Sequence, residues 1–302
     1  MSIKKDLNNI HDKTYKSFFE NSQIFLEMLQ SFVGETWTFN LSAKELKQDK
    51  SYYVIRDYEE MEADIVYSTD LEGREVFFYI LLELQSTVDH SMPIRLFTYT
   101  AEIWRKYLKK MNKEDVKKKD FKLPAVVPII LYNGEATWTV TKSFKEKVHR
   151  AELFGNHIID FEYILINVNN FAEEDLMRIE NVVSAIFLLD QKINAEEFIR
   201  RAGNVAKEFE AIPQEHKLKL IDWLDHTVED PVRKEVIKLF HVDKEEVDQV
   251  TANITKTLQE EKENAIKQRM IESAKKMLDK KVDIQDIVDF TGLTAEEINQ
   301  LK

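Results

Sequence analysis

The run Val76-Phe77-Phe78-Tyr79-Ile80-Leu81-Leu82-Glu83-Leu84-Gln85 restricts this 302-residue chain more than any other stretch. It is apolar at both parities of a strand, so both faces of that strand must be covered, which places it inside a sheet. Residues 52–58 and 63–69 are also strand-like. Asp70-Leu71-Glu72-Gly73 is a turn signal that joins 63–69 to 76–85 as a hairpin. Two further short apolar runs, 125–132 and 161–168, read as buried strands. Helical spacing marks 12–33, where Asp12 can cap a face carrying Tyr15, Phe18, Phe25, Met28 and Phe32, and marks 94–111. The order predicts an α/β fold, a mixed sheet with helices on its faces.

Beyond residue 171 the pattern is helical throughout: 176–189, 195–211, 214–227 and 231–241, then a charged stretch at 243–280. The thin apolar stripe of Val247, Val250, Ile254 and Leu258 there suits an exposed arm able to pair with a second subunit. The expected division is therefore a sheet domain at 1–190 and an all-α region at 191–302. The tail from Asp283 divides into two short helices at Gly292, with Thr294 and Glu297 as a capping box. It resembles a helix-turn-helix, yet Glu296 and Glu297 stand where a DNA reader wants Arg or Lys, which favours protein contact over DNA reading.

With no cysteine, disulfides, thiolate metal sites and thiol nucleophiles are excluded. No run approaches ~18 apolar residues and the start lacks a signal peptide, so a soluble cytoplasmic protein without membrane contact is expected. The net charge of −12 argues at first against a nucleic-acid partner, but its distribution changes that reading. Residues 1–150 hold 23 basic and 23 acidic side chains, and the second half holds 20 and 32. Within the neutral half, Arg105 to Lys122 carries 9 basic and 3 acidic residues. That run, with Lys117, Lys118, Lys119 and Lys122, suits either phosphate contact or a solvated surface.

Glu83 is the chemically informative residue. An ionised carboxylate on an interior strand is costly unless a cation meets it. Gln85 shares its strand face, and across the hairpin Asp64 precedes another apolar strand, so Asp64 and Glu83 become opposite or diagonal neighbours if their faces agree. Two close carboxylates call for a divalent cation; a buried Arg or Lys for each is the equal alternative. The seven histidines lack ligand spacing. Asn133-Gly134 reads as a tight turn.

The pattern of Asp64, 18 intervening residues and Glu83-Leu84-Gln85 resembles the D…(D/E)xK motif of the PD-(D/E)XK nuclease superfamily. His11-Asp12-Lys13, Leu82-Glu83-Leu84-Gln85-Ser86 and Pro128-Ile129-Ile130-Leu131-Tyr132-Asn133-Gly134 resemble the recombination-promoting nuclease (Rpn, YhgA-like transposase) family over about residues 10–190. Ala274 to Leu278 and Ile287 to Thr294 resemble that family's C-terminal tail. The resemblance implies a metal-dependent DNA endonuclease that promotes recombination, in a mobile-element or phage-defence setting. It implies Mg²⁺ or Mn²⁺ held by Asp64, Glu83 and the carbonyl of Leu84, with Gln85 orienting the attacking water where the superfamily commonly has Lys. Arg95 and Tyr99 on the next helix become candidate backbone contacts, although helix packing is their commoner role, and Asp12 or Glu20 could complete the metal shell. The alternative is a non-catalytic DNA-binding or assembly module that keeps the nuclease fold.

Overall fold

The computed structural model describes residues 14–49, 65–71, 73–83 (backbone alone at 81–83), 88–228 and 233–301. A first helix, α1 (14–19), stops at Glu20, and α2 (Ser22–Phe32) starts afresh. Unbroken apolar spacing predicts one helix here. Asn21 divides it because its Oδ1 accepts the N–H groups of Gln23 at 2.9 Å and Ile24 at 3.2 Å, capping a new N-terminus.

The sheet has five strands in the order β1 (Lys47–Gln48), β2 (Ile65–Leu71), β3 (Arg74–Glu83), β4 (Ala125–Tyr132) and β5 (Ile164–Asn167). The pairs β1–β2 and β2–β3 are antiparallel, whereas β3–β4 and β4–β5 are parallel. The hairpin is the one the turn signal predicts: Gly73 takes φ 78° and its N–H is held by Asp70 Oδ1 at 2.7 Å. The two-residue edge strand β1 has no periodicity of its own. The strand expected at 52–58 lies outside the described residues. Between β3 and β4 run α3 (Met92–Lys110) and a single turn, α4 (Lys113–Val116); between β4 and β5 lies another single turn, α5 (Ala151–Phe154).

Strand parity divides the core into two layers. Phe77 and Tyr79 of β3, Val66 of β2, and Ile130 and Tyr132 of β4 meet Met92, Leu96, Tyr99 and Ile103 of α3. On the other face Phe25 of α2 stacks on Tyr67 at 4.3 Å, and Trp37 stacks on Phe78 at 5.3 Å. The Tyr67 hydroxyl donates to the carbonyl of Phe19 at 2.9 Å, so this buried phenol is satisfied. Interior strands buried on both faces are what the parallel β3–β4–β5 half requires.

From residue 173 the chain is helical: α6 (Glu173–Ile179), α7 (Val182–Asp190), α8 (Ala195–Glu208), α9 (Gln214–Thr227), α10 (Arg233–Leu239), α11 (Lys244–Asp279), α12 (Ile284–Thr291) and α13 (Ala295–Asn299). The single helix expected at 176–189 is two, since Glu180 turns left-handed (φ 52°) and Asn181 forms a capping box with Ser184. The mixed sheet, its flanking helices and the all-helical C-terminal region together form the predicted α/β fold. The chain divides into one compact unit of residues 1–193 with 208–228 and another of 194–207 with 229–302. In the second, Ala274, Ile287, Leu293 and Ile298 form a small core, and Gly292 (φ 72°) ends α12 by donating to the carbonyl of Val288 at 2.8 Å. The 36 residues of α11 extend about 54 Å. No helix among the described residues is long and apolar enough to cross a membrane.

Candidate functional site

β3 runs parallel to β4 from Val76↔Ala125 to Glu83↔Tyr132, so Glu83 sits at the end of the parallel pair where both strands finish. In open α/β sheets that is the edge where ligands commonly bind. Glu83 has the strand parity of Phe77 and Tyr79, the parity that faces α3. Asp64, Leu84 and Gln85 lie outside the described residues, as does Asp12.

Arg95 lies on the first turn of α3. Its guanidinium donates to Asp89 Oδ2 at 2.7 Å, while Asp89 Oδ1 accepts the Ser91 N–H at 2.8 Å and the Ser91 hydroxyl at 2.7 Å. Burial opposes ionisation of Asp89, but the hydrogen bonds from Ser91 and Arg95 outweigh it and hold its carboxyl below the usual range. Asp89 and Arg95 thus fasten the segment that enters α3 to its first turn. Tyr99, one turn further, is 6% exposed, and its ring centre lies 5.3 Å from that of Tyr79. Glu20 is exposed at the end of α1, whose Phe19 carbonyl meets Tyr67 on the face opposite α3.

The basic run occupies the opposite end of the parallel pair, immediately before Ala125. Lys117 pairs with Glu114 at 2.8 Å and Lys118 with Asp115 at 2.7 Å, all four side chains being exposed; Lys119 and Lys122 are exposed as well. Exposed pairs of this kind add little to stability, but they lower the charge offered to a phosphate. The structure thus sets the lysines at the end of the parallel pair opposite Glu83.

A polar cluster at the Glu83 end was hidden in the sequence. Asp190, 7% exposed at the end of the apolar helix α7, accepts the Tyr15 hydroxyl at 2.7 Å. Asn133, directly after β4, donates to both the carbonyl and the carboxylate of Asp190. Asn169, just past β5, donates to Asn133 Oδ1 at 2.9 Å and accepts the Lys192 N–H at 2.9 Å. Burial first, then the charge and hydrogen bond of Asp190, raise the Tyr15 phenol well above its ordinary value, so it stays a donor. Asn133-Gly134 is therefore more than a turn: it rivets the ends of β4 and β5 to α1 and α7. The one available signal was an acid closing a helix that is apolar but for Ser184.

A second buried contact ties α2 to α9. Glu27 Oε1 lies 3.5 Å from His216 Nδ1, and His216 is 4% exposed. Burial raises the Glu27 carboxyl and lowers the His216 imidazole. An ion pair would push each the other way, so burial outweighs any mutual attraction between them. Among the described residues no group of three His, Asp or Glu side chains could hold a metal ion.

Comparison with known proteins now bears on this geometry. A family model described as "Putative transposase, YhgA-like" matches residues 9–220, and a model for the C-terminal HTH domain of the Rpn/YhgA-like nuclease family matches 267–302. The chain is similar to recombination-promoting nuclease RpnC of Escherichia coli K12, at 21% identity over 60% of this chain and 57% of that protein. It is similar to recombination-promoting nuclease RpnA of the same strain, at 22% over 98% of each. It is also similar to the inactive recombination-promoting nuclease-like protein RpnE, at 19% over 56% of this chain and 54% of that one. It thus spans little more than half of RpnC and RpnE but nearly all of RpnA. No solved structure matches. With its sheet unit and its helical tail each matched by a model of the same group, the chain belongs to the YhgA-like transposase (Rpn) family.

Proposed function

We propose that the protein is a nuclease of the PD-(D/E)XK type that hydrolyses DNA phosphodiester bonds with a divalent metal, in support of recombination. The observation that carries this reading is the register of the central hairpin. Ile65 pairs with Ile80; the same register continued by one pair would set Asp64 against Leu81, on the strand parity of Glu83. Asp64 and Glu83 would then be diagonal neighbours at the end of an interior strand.

The donors fit a hard cation: two carboxylates and the Leu84 carbonyl are all oxygen, the set that Mg²⁺ and Mn²⁺ take, and the chain has no cysteine to favour a softer ion. When bound, the ion supplies charge neutralisation at the scissile phosphate and a more acidic water. Asp64 and Glu83 hold it, and Gln85 orients the attacking water by hydrogen bonding, without the positive charge of a lysine. Arg95 and the Asp89 clasp hold the start of α3.

Nicking of supercoiled plasmid in Mg²⁺ or Mn²⁺ tests the reading. Asp64→Asn and Glu83→Gln are expected to abolish nicking while the protein stays folded, and Gln85→Ala to slow it about 10–100-fold. Nicking by the wild type in excess chelator, or undiminished nicking by both acid variants, would sink it. The second reading, a DNA-binding or assembly module without cleavage, is favoured by Gln85 in place of Lys and by the similarity to the inactive RpnE. It predicts DNA binding with no nicking at any metal concentration.

A further inference from the structure

β3 has a neighbouring strand on each side, β2 on one and β4 on the other. On the β4 side the register partner of Glu83 is Tyr132, and Tyr132 is paired in turn with Asn167 of β5. Paired strands lie about 4.8 Å apart and register partners share a face, so Tyr132 is the residue beside Glu83 on the α3 face. Its neighbour Asn133, of opposite parity, binds Asp190 instead. The nuclease reading so far gives this tyrosine no part.

Tyr132 is fully buried and its ring is held at more than one point. Its hydroxyl donates its one proton to the Ala136 carbonyl at 2.6 Å, across the turn that follows β4. Its ring centre lies 4.8 Å from that of Trp138. The Trp138 indole N–H donates to the Tyr163 hydroxyl at 3.0 Å, and that hydroxyl donates to the Val140 carbonyl at 3.4 Å. Residues 136–140 thereby fold back onto Tyr132, with the polar atom of each of the three rings satisfied. What Tyr132 can offer Glu83 is a fixed, flat, apolar side and not a proton.

We propose that Tyr132 is a positioning residue for Glu83. Its ring closes the β4 side of the carboxylate and leaves it the β2 side, where Asp64 would complete the metal site. This rests on the nuclease reading. A glutamate loses much rotamer freedom when it takes a metal. A rigid wall removes the rotamers that lean toward β4 before the ion arrives, which is how a supporting side chain raises the affinity of a metal ligand.

Mn²⁺ binding by the full chain without DNA, read by electron paramagnetic resonance, and the Mn²⁺ dependence of plasmid nicking test the role. Tyr132→Leu removes the ring and should weaken Mn²⁺ binding by about 10-fold or more, raising the Mn²⁺ concentration that half-saturates nicking in proportion. Tyr132→Phe keeps the ring and should bind Mn²⁺ as the wild type does, although it loses the Ala136 hydrogen bond and melts earlier. Phe78→Leu, a like truncation of a fully buried ring on the opposite parity of β3, should lose stability with no change in Mn²⁺ affinity. Should Tyr132→Leu not fold, Tyr132→Met keeps apolar volume without the flat ring and should weaken binding likewise. Wild-type Mn²⁺ affinity in the folded Leu or Met variant overturns the proposal. So does equal weakening in Phe78→Leu, which makes the effect one of general packing, or in Tyr132→Phe, which assigns it to the hydroxyl. A wild type that binds no Mn²⁺ sensitive to Glu83→Gln sinks the nuclease reading and the positioning role together. Binding that Glu83→Gln abolishes and Tyr132→Leu leaves intact counts against Tyr132 alone.

Discussion

The two ends of the parallel β3–β4 pair differ in what they place in reach of a ligand. At the Val76–Ala125 end stand lysines, two of them already paired with their own acids. At the Glu83–Tyr132 end stand an acid at the close of an apolar strand and the Asp190 cluster. Seven residue steps separate them, about 23 Å along the strand. That is about seven base pairs of duplex at 3.4 Å each. On the proposed reading, charge attraction and chemistry are set apart on this sheet, so a change at one end should alter binding and a change at the other should alter cleavage.

The acids of the Glu83 end divide again, and this gives the largest expected effects. Glu83→Gln should remove nicking with little change in stability, whereas Asp190→Ala should lower stability while the remaining folded protein still nicks. Removing the Asp190 carboxylate leaves the Tyr15 hydroxyl buried without its acceptor, at about 1–3 kcal/mol, while the Asn133 amide keeps its bond to the Asp190 carbonyl. Urea unfolding beside a nicking assay on the two variants checks both. Equal loss of nicking in the two would erase the distinction.

A smaller effect is expected from Glu27. Its folded carboxyl is raised by burial, so its contribution to stability is present below the ordinary carboxylate range and is lost as pH rises through the folded value. His216 works in the opposite sense: its imidazole is lowered, so its contribution is lost as pH falls below the ordinary histidine range. Glu27→Gln should therefore raise the melting temperature at pH 7 by a few degrees and leave it unchanged near pH 4. A fall at pH 7 would show that the pair is ionic.

The smallest effect belongs to the basic end. Lys119→Ala with Lys122→Ala should reduce the salt dependence of duplex binding by about two log units per log unit of salt. Lys117→Ala with Lys118→Ala should reduce it less, because Glu114 and Asp115 already pair with those lysines. A slope unchanged in both double variants would assign the run to a solvated surface.

Much of this architecture was legible in local pattern. The hairpin followed from Asp70 to Gly73, β4 from its unbroken apolar run, and the tail from Thr294, Glu297 and Gly292, all of which act within a few residues. The breaks at Asn21 and at Glu180 to Asn181 were not legible, because a side-chain cap ends a helix without disturbing its apolar spacing. Nor was the Asp190 cluster, whose partners Tyr15, Asn133 and Asn169 are distant in sequence and meet only once α1, β4, β5 and α7 are packed. Of the candidate site, the sequence supplied the acids and the family resemblance supplied their roles. The strand parity of Glu83 needed the register.

Manganese binding, followed by electron paramagnetic resonance on the folded chain without DNA, tests the central claim most directly. The account predicts one bound Mn²⁺ per chain in the wild type, lost in Asp64→Asn and in Glu83→Gln and retained in Asp190→Asn. Manganese that persists in both acid variants, or that disappears only with Asp190→Asn, would contradict it.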